Sequence, residues 1–332
     1  MAAKSKNKGR SLRRQGRFRA AIMSGHHFRK STTVILLAAI TIFASLATAR
    51  CASAWSNGGK SASVNNPVYS THDWIAQHAL DWLPAEEKQF IVDNLNLYLY
   101  GTELPDIADA VGGDGIGDTT NHHVYYHADG TLGGDVGADR AQAMYQEAVD
   151  DVRSGDIGSA AKYAGAMTHY IDDLAVFGHV MGTYTDWGAE HYHSEYESYV
   201  GNHTPGYDSP YNQYLSFDGT LEQTTAYDVA LHVAHDTTFD DSGQGHTAVW
   251  MDTHYDWGNP AFVARMGASL NVAVNAVADA LHSLWIESGK PAGSPISLVT
   301  VLEIVGVLAA VVVVATLMMH GKSGHRRRRR WR

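Results

Sequence analysis

Residues 168–197, THYIDDLAVFGHVMGTYTDWGAEHYHSEYE, concentrate the side chains of this chain that bind metals most readily. His169 and Asp173 are four residues apart, and His193 and Glu197 repeat that spacing. On a helix, residues four apart lie on one face, one turn above the other. Each pair therefore presents an imidazole and a carboxylate to one point in space, and His179 lies between the two pairs. The stretch predicts a site for more than one metal ion.

The ligand types indicate which metal. Imidazole and carboxylate together suit zinc, and no thiolate is needed. A single His-x-x-x-Asp pair is more often a buried histidine satisfied by one hydrogen bond than a metal site. Two pairs and an intervening histidine within thirty residues favour metal, because buried polar groups at this density need a cation as a compensating partner.

The first 54 residues have the composition of a secretory signal peptide with a long basic region. Residues 1–30 contain ten Lys or Arg and no acidic residue, and an apolar run occupies 31–49. Ala52-Ser53-Ala54 provides a small-residue cleavage site, as export signals require. Cleavage after Ala54 would make Trp55 the first residue of the mature protein. The alternative is an uncleaved membrane anchor.

The C-terminal region predicts a membrane anchor. After a linker at 291–295, residues 296–319 are apolar apart from Glu303 and a few small or hydroxyl residues, and about 20 such residues cross a bilayer. The tail at 320–332, HGKSGHRRRRRWR, is strongly basic and should stay in the cytoplasm. We therefore expect an exported single-pass protein whose domain at 55–290 lies outside the cell. A sorting signal removed after export is the alternative.

The predicted exported part is strongly acidic. Residues 55–295 contain 34 Asp or Glu and 7 Lys or Arg, whereas the whole chain has a formal charge of −10. Such an excess of negative charge opposes non-specific binding to nucleic acid or to anionic membranes.

The only cysteine is Cys51, within the predicted signal, so the mature domain must be stable without a disulfide.

Apolar periodicity predicts an all-α domain. Segments with a helical period occur at 71–83, 85–101, 139–155, 156–180, 191–203, 221–239 and 260–288. Residues 102–139 lack it and are rich in Gly and Asp, which predicts a long functional loop with a short strand at 122–127. Sustained strand alternation is absent from the sequence. The predicted fold is a multi-helix domain followed by a C-terminal transmembrane helix.

Five motifs resemble those of the zinc-dependent phospholipase C family. They are THDWIAQHAL, LPDIAD, HVYYHADG, THYIDDLAVFGH and HSEYE. The family includes bacterial phosphatidylcholine-hydrolysing enzymes and clostridial α-toxin, with the S1/P1 nucleases as distant relatives. The resemblance implies an all-helical phospholipase C/P1 nuclease-like domain that holds three zinc ions and hydrolyses a phosphodiester, with a phospholipid as the expected substrate and nucleic acid an improbable partner.

The resemblance also implies a ligand set. One zinc ion would be held by His169, Asp106, His123 and a bridging Asp173; a neighbouring ion by Trp55, His72 and the same Asp173; and a third ion by His179, His193 and Glu197. Trp55 would bind through its free amine and its carbonyl oxygen. Asp109 competes with Asp106 for its place, and Asp106 is the expected catalytic residue, which would orient or deprotonate the attacking water.

Three functions from different classes follow. The first is phospholipase C-type cleavage of phospholipid headgroups outside the cell. The second is an S1/P1-like nuclease, which is disfavoured by the acidic domain and by the Ser-x-x-Glu of HSEYE, since the nucleases place Asp there. The third is a membrane-anchored surface protein that keeps zinc only for stability.

Overall fold

The computed structural model describes residue 65 and residues 68–107, 116–118 and 120–290. The predicted signal peptide, Trp55, Asp109, the linker, the apolar segment at 296–319 and the basic tail lie outside these residues. The predicted domain boundaries and the predicted anchor therefore stay predictions.

Within the described residues the chain forms nine α-helices and one two-stranded antiparallel hairpin, which confirms the all-α class. In chain order they are α1 (Thr71–Trp82), α2 (Ala85–Val92), α3 (Leu95–Glu103), β1 (Tyr125–Tyr126), β2 (Leu132–Gly134), α4 (Val136–Ser154), α5 (Ile157–Asp172), α6 (His193–His203), α7 (Ala226–Phe239), α8 (Ala248–Thr253) and α9 (Pro260–Glu287).

Helix α5 packs against α3 and α4, and small residues allow an unusually close approach to α3. A β-carbon on Gly165 would lie 2.0 Å from the carbonyl oxygen of Tyr98, and one on Gly101 would lie 2.1 Å from that of Lys162. The two backbones are therefore in direct contact, and neither position has room for a side chain. This contact places the C-terminal turn of α3, with Thr102, beside the C-terminal half of α5.

Helix α9 is the long apolar helix of the domain core. It begins with Pro260 after Asn259, whose side chain accepts a hydrogen bond from the amide of Ala261, as an N-cap does. Among the described residues it is the one helix long and apolar enough to cross a membrane, yet 67% of its apolar window is buried inside the protein. Helix α9 is therefore a core helix and differs from the membrane span predicted at 296–319.

Residues 216–224 run along α9 and are fixed to it by polar side chains spaced four residues apart. The amides of Ser216, Asp218, Glu222 and Thr224 donate to the side chains of Asn271, Asn275, Asp279 and Ser283, respectively. Because four-residue spacing keeps these acceptors on one helix face, the irregular segment gains backbone partners without forming a helix of its own.

The element boundaries depart from the predictions in four places. The segment predicted as one helix at 85–101 divides at Asp93 and Asn94 into α2 and α3. Helix α5 ends at Asp172, and two short 3₁₀ turns, Asp173–Ala175 and Phe177–Val180, follow it. Helix α7 begins at Ala226 instead of residue 221, because the side chain of Thr225 caps the helix at that point. The loop predicted in the 240s contains α8.

Candidate metal centre

The end of α5 places His169 and Asp173 at the centre of a buried cluster. Nε2 of His169 lies 3.1 Å from Oδ2 of Asp173, and both side chains are fully buried. The other ring nitrogen of His169, Nδ1, lies 2.7 Å from the carbonyl oxygen of Thr102, which the close contact of α3 and α5 brings there. Because a carbonyl only accepts, Nδ1 carries the proton, and Nε2 presents its lone pair to the cluster.

His72, His169 and Asp173 form the first group that could hold one ion. Their ligand atoms lie within 4.8 Å of one another. Helix α1 supplies His72, whose ring stacks on that of His169 with centroids 4.0 Å apart. Its Nε2 lies 3.6 Å from Oδ1 of Asp173.

Asp106, His122 and His169 form the second group, again with ligand atoms within 4.8 Å of one another. Nε2 of His169 is 3.7 Å from Oδ1 of Asp106 and 3.2 Å from Nδ1 of His122. The Nδ1 atom of His122 also lies 2.6 Å from Oδ2 of Asp173. Nε2 of His122 donates to the carbonyl oxygen of Asp118, so the ring is held with Nδ1 toward the group.

The structure groups His122, and not His123, with Asp106 and His169. The ring of His123 instead stacks beside Tyr125, with centroids 5.6 Å apart, and lies 4.9 Å from the ring of His179. His122 is buried, whereas His123 is partly exposed. His123 therefore lies at the margin of the cluster, next to the third group. The predicted ligand role of His123 stays a prediction, and the distances favour its neighbour His122 as the ligand.

His179, His193 and Glu197 form the third group. Oε1 of Glu197 lies 2.8 Å from Nε2 of His193, one turn earlier on α6, and 3.3 Å from Nε2 of His179. The ring of His193 packs against Gly178, where a β-carbon would lie 2.4 Å from Cγ of the imidazole. The glycine before His179 is thus required for α6 to bring its pair to the 3₁₀ turn.

Burial and the charges of neighbouring side chains shift the pKa values of the residues in the cluster. Burial alone would raise the pKa of Asp173, but the imidazoles of His169 and His179 hold it well below its usual range. Burial lowers the pKa of His72 and of His179, which favours the neutral ring, the form that binds metal. Against burial, Asp173 raises the pKa of His122 to about 9, and Glu197 raises that of His193 to about 10. Burial raises the pKa of Glu197 to about 8, and a divalent ion beside it would favour the ionised form.

Several buried polar atoms in the three groups lack hydrogen-bond partners in the described part of the chain. They are Nε2 of His72, Oδ2 of Asp106, Oδ1 of Asp173 and Oε2 of Glu197. An unpartnered buried polar atom costs stability, and here such atoms come from all three groups. Nitrogen and carboxylate ligands of this kind match zinc. The residues present therefore fit the metal that the sequence predicts.

Seven of the site residues predicted from the sequence lie in the three groups. The structure brings together His72, Asp106, His169, Asp173, His179, His193 and Glu197 in the three groups. Sequence reasoning missed His122, although the doubled histidine of HHVYYH was a signal that two candidates existed. It also missed Asp172, which lies 2.7 Å from His72 and forms with Asp173 a consecutive pair of acids.

Comparison with known proteins gives one family. Residues 71–256, more than half of the chain, match the sequence model of a family described as zinc-dependent phospholipase C. Alpha toxin from Clostridium absonum is similar in structure, with a TM-score of 0.45 and 15% sequence identity over 70% of this chain and 66% of the toxin. The chain thus spans slightly less than two thirds of the toxin's length. No curated protein sequence matches the chain.

Proposed function

Because the chain belongs to the zinc-dependent phospholipase C family, we propose that it is a zinc-dependent phosphodiester hydrolase of phospholipase C type. The substrate is a phospholipid, and the products are a diacylglycerol or ether analogue and a phosphorylated headgroup. The observation that carries the proposal is the presence of three His and carboxylate groups with closely spaced ligand atoms and with unpartnered buried atoms in each.

The ligand assignment follows the three groups. One zinc ion is held by Asp106, His122, His169 and Asp173; a second by His72 and Asp173, with Trp55 completing it; and a third by His179, His193 and Glu197. The number of three ions and the place of Trp55 rest on the family pattern. Assigning His122 in place of His123 rests on the distances from its Nδ1 to Asp173 and His169, 2.6 and 3.2 Å.

Zinc ions bound at these groups would supply Lewis acidity, which neutralises phosphoryl oxygens and lowers the pKa of a water. The protein's part is to hold its ligands rigidly and to manage the proton. Asp106 is suited to that task because its side chain is 12% exposed, whereas those of His169 and Asp173 are fully buried. A carboxylate at the open side of the cluster can orient the attacking water and accept its proton.

Asp173 joins the two neighbouring ion positions. Its Oδ2 faces His122 and His169, and its Oδ1 faces His72 and, at 4.0 Å, His179. A carboxylate with each oxygen directed at a different imidazole set would be shared by the residues that hold the two ions, and it would keep both ligand sets in place. His193 is 11% exposed, so the third group also borders the open side, where a phosphoryl oxygen or a leaving oxygen would arrive.

The place of action is the outer side of the cell membrane. The basic and apolar N-terminal region, the small-residue cleavage site and the apolar segment at 296–319 with its basic tail support export and anchoring. Treatment of intact cells with an external protease should release an active soluble fragment. Activity that appears only after lysis would contradict this topology.

The deciding experiment compares three substrates. The purified protein is offered phosphatidylcholine, bis-nitrophenyl phosphate and single-stranded DNA, with zinc and after removal of zinc by a chelator. Zinc-dependent release of phosphorylated headgroup supports the proposal. Cleavage of the DNA without cleavage of the lipid would assign the chain to the nuclease branch, and loss of stability on chelation without turnover of any substrate would leave zinc a structural role only.

A further inference from the structure

Of the two acids that the described part of the chain pairs with His72, Asp172 is the closer. Its Oδ1 lies 2.7 Å from Nδ1 of the imidazole, and both side chains are fully buried. The opposite ring nitrogen, Nε2, faces Oδ1 of Asp173 at 3.6 Å. The imidazole is thus placed between two consecutive carboxylates, one on each of its nitrogens, at the point where α5 ends and the first 3₁₀ turn begins.

The other imidazoles around Asp173 use backbone partners at the corresponding nitrogen. Nδ1 of His169 is directed at the carbonyl oxygen of Thr102, and Nε2 of His122 is directed at that of Asp118. His72 alone of these three has a carboxylate there. In its ionised form a carboxylate attracts the ring N–H more strongly than a neutral carbonyl does, because a hydrogen bond to an ionised acceptor is roughly twice as strong.

This contact has two consequences for His72. It fixes the proton on Nδ1, so that Nε2 keeps its lone pair on the side of Asp173. It also increases the electron density of the ring and hence the basicity of Nε2, as an acidic partner does for a metal-binding histidine. The nearby Asp73 does not duplicate this role, since it accepts hydrogen bonds from the amide of Ser70 and the hydroxyl of Thr102.

We propose that Asp172 is a positioning residue that orients His72 and strengthens its bond to one zinc ion. The inference rests on the proposed metal function. It goes beyond that function because Asp172 contributes no ligand atom and belongs to none of the three groups. Loss of the carboxylate should lower the affinity for one zinc ion by about 10- to 100-fold, the range found for partners of metal-binding histidines. The affinities for the other ions should not change.

The test measures zinc binding and not turnover. Wild-type protein, Asp172→Asn and, as a matched buried control from α1, Asp73→Asn are stripped of metal and titrated with zinc against a competing chelator. Asp172→Asn keeps size and an acceptor oxygen but removes the charge. We expect one zinc equivalent to bind about 10- to 100-fold more weakly in Asp172→Asn only, and Asp172→Asn to add nothing in a His72→Ala background.

Two outcomes would overturn the inference: equal zinc affinities for Asp172→Asn and wild type, or weakening of all ions together. Should Asp172→Asn fail to fold, nitrogen NMR of the histidine-labelled wild-type protein decides, since the proton of His72 must be on Nδ1 and a proton on Nε2 contradicts the proposal. A wild-type protein that binds no zinc would instead refute the metal function itself, so the two failures are distinguishable.

Discussion

Oδ2 of Asp173 lies 3.1 Å from Nε2 of His169, one helical turn earlier, with both side chains fully buried. The other oxygen of the same carboxylate faces His72. A single side chain therefore connects two sets of imidazoles that come from different parts of the chain. Among the described residues, Asp173 is the one acid with oxygens within 4.0 Å of nitrogens of His72, His122, His169 and His179. Its removal would therefore leave these imidazoles without a shared acidic partner.

Asp173→Asn should be among the most damaging substitutions. An amide keeps the shape but loses the charge that would join two ions, and it replaces one acceptor by a donor that faces imidazole nitrogens. We expect turnover to fall at least about 100-fold, the scale of losing a main electrostatic stabiliser, together with a lower zinc content by metal analysis.

The matched control is Asp81→Asn. Asp81 also pairs with a histidine, His78, at 2.9 Å, but its side chain is 39% exposed and it belongs to none of the three groups. Zinc content and turnover should stay close to those of the wild type. Similar losses in the two variants would show that the cluster around Asp173 is not the metal centre.

His122→Ala and His123→Ala should separate the two adjacent histidines. Only His122 reaches Asp173 and His169, at 2.6 and 3.2 Å, so its removal should release zinc in metal analysis of the dialysed protein. His123→Ala should keep the full zinc content. The reverse result would return the ligand role to His123 and would refute the assignment made from these distances.

The uncertainty between these histidines has a physical reason. His122 and His123 lie just before β1 in a segment where buried and partly exposed residues alternate, as they do along a strand. A slip of one residue therefore exchanges the inner side chain for the outer one. On α5 and α6, the four-residue spacing of His169 and Asp173, and of His193 and Glu197, left no such ambiguity, and the structure brings each pair together.

The helix positions were similarly predictable where the periodicity was long. The start of α9 at Pro260 agrees with the prediction. The end of α5 at Asp172 was not predictable, because Leu174, Val176 and Phe177 are buried and continue an apolar pattern through the 3₁₀ turns. Tertiary contacts, not local preference, decide such endings.

Gly165→Ala should destabilise the domain. A β-carbon there would lie 2.0 Å from the carbonyl oxygen of Tyr98, so α3 and α5 would have to move apart. Overpacking of this kind costs about 1–3 kcal/mol, occasionally more, and it would also displace the carbonyl of Thr102 from His169. Chemical denaturation should show the lower free energy of unfolding of Gly165→Ala. The folded variant should also bind zinc more weakly.

Gly206→Ala is the control for this prediction. Gly206 lies in a loop, and a β-carbon there would meet nothing within 4 Å. Its effect on the free energy of unfolding should stay within about 0.5 kcal/mol, as for most surface substitutions. Equal destabilisation at the two glycines would mean that α3 and α5 are not in backbone contact.

Asp279→Asn should stabilise the protein at neutral pH. Burial, with Asp218 and Glu222 adding to it, raises the pKa of Asp279 from 3.8 to about 6. The folded state thus disfavours the ionised carboxylate, so wild-type stability falls as pH rises from about 4 to about 6. Asn keeps an acceptor for the amide of Glu222. Since Asp279 is partly exposed, we expect a gain of about 1 kcal/mol at pH 7.

The gain should shrink below pH 6 and disappear near about pH 3, below both pKa values, where the wild-type carboxyl is protonated in the folded and the unfolded state. Denaturant unfolding of both proteins at several pH values measures this difference. Asp208→Asn, an exposed position, removes the same charge and should leave stability nearly unchanged at every pH. A gain for Asp279→Asn that stays undiminished down to about pH 3 would contradict the raised pKa.

Activity should depend on cleavage between Ala54 and Trp55. Within a longer chain, the nitrogen of Trp55 is an amide without an available lone pair, whereas a free α-amine has a pKa of about 7.7–8.0 and can lose its proton to a zinc ion. The proposed second ion has His72 and Asp173 as its other ligands, so loss of the amine should weaken the binding of this ion most.

The comparison is between protein that begins at Trp55 and protein with an uncleavable Met-Ala before it. The extended form should bind about one zinc ion fewer and turn over more slowly, and equal zinc content with equal turnover would remove Trp55 from the ligand set.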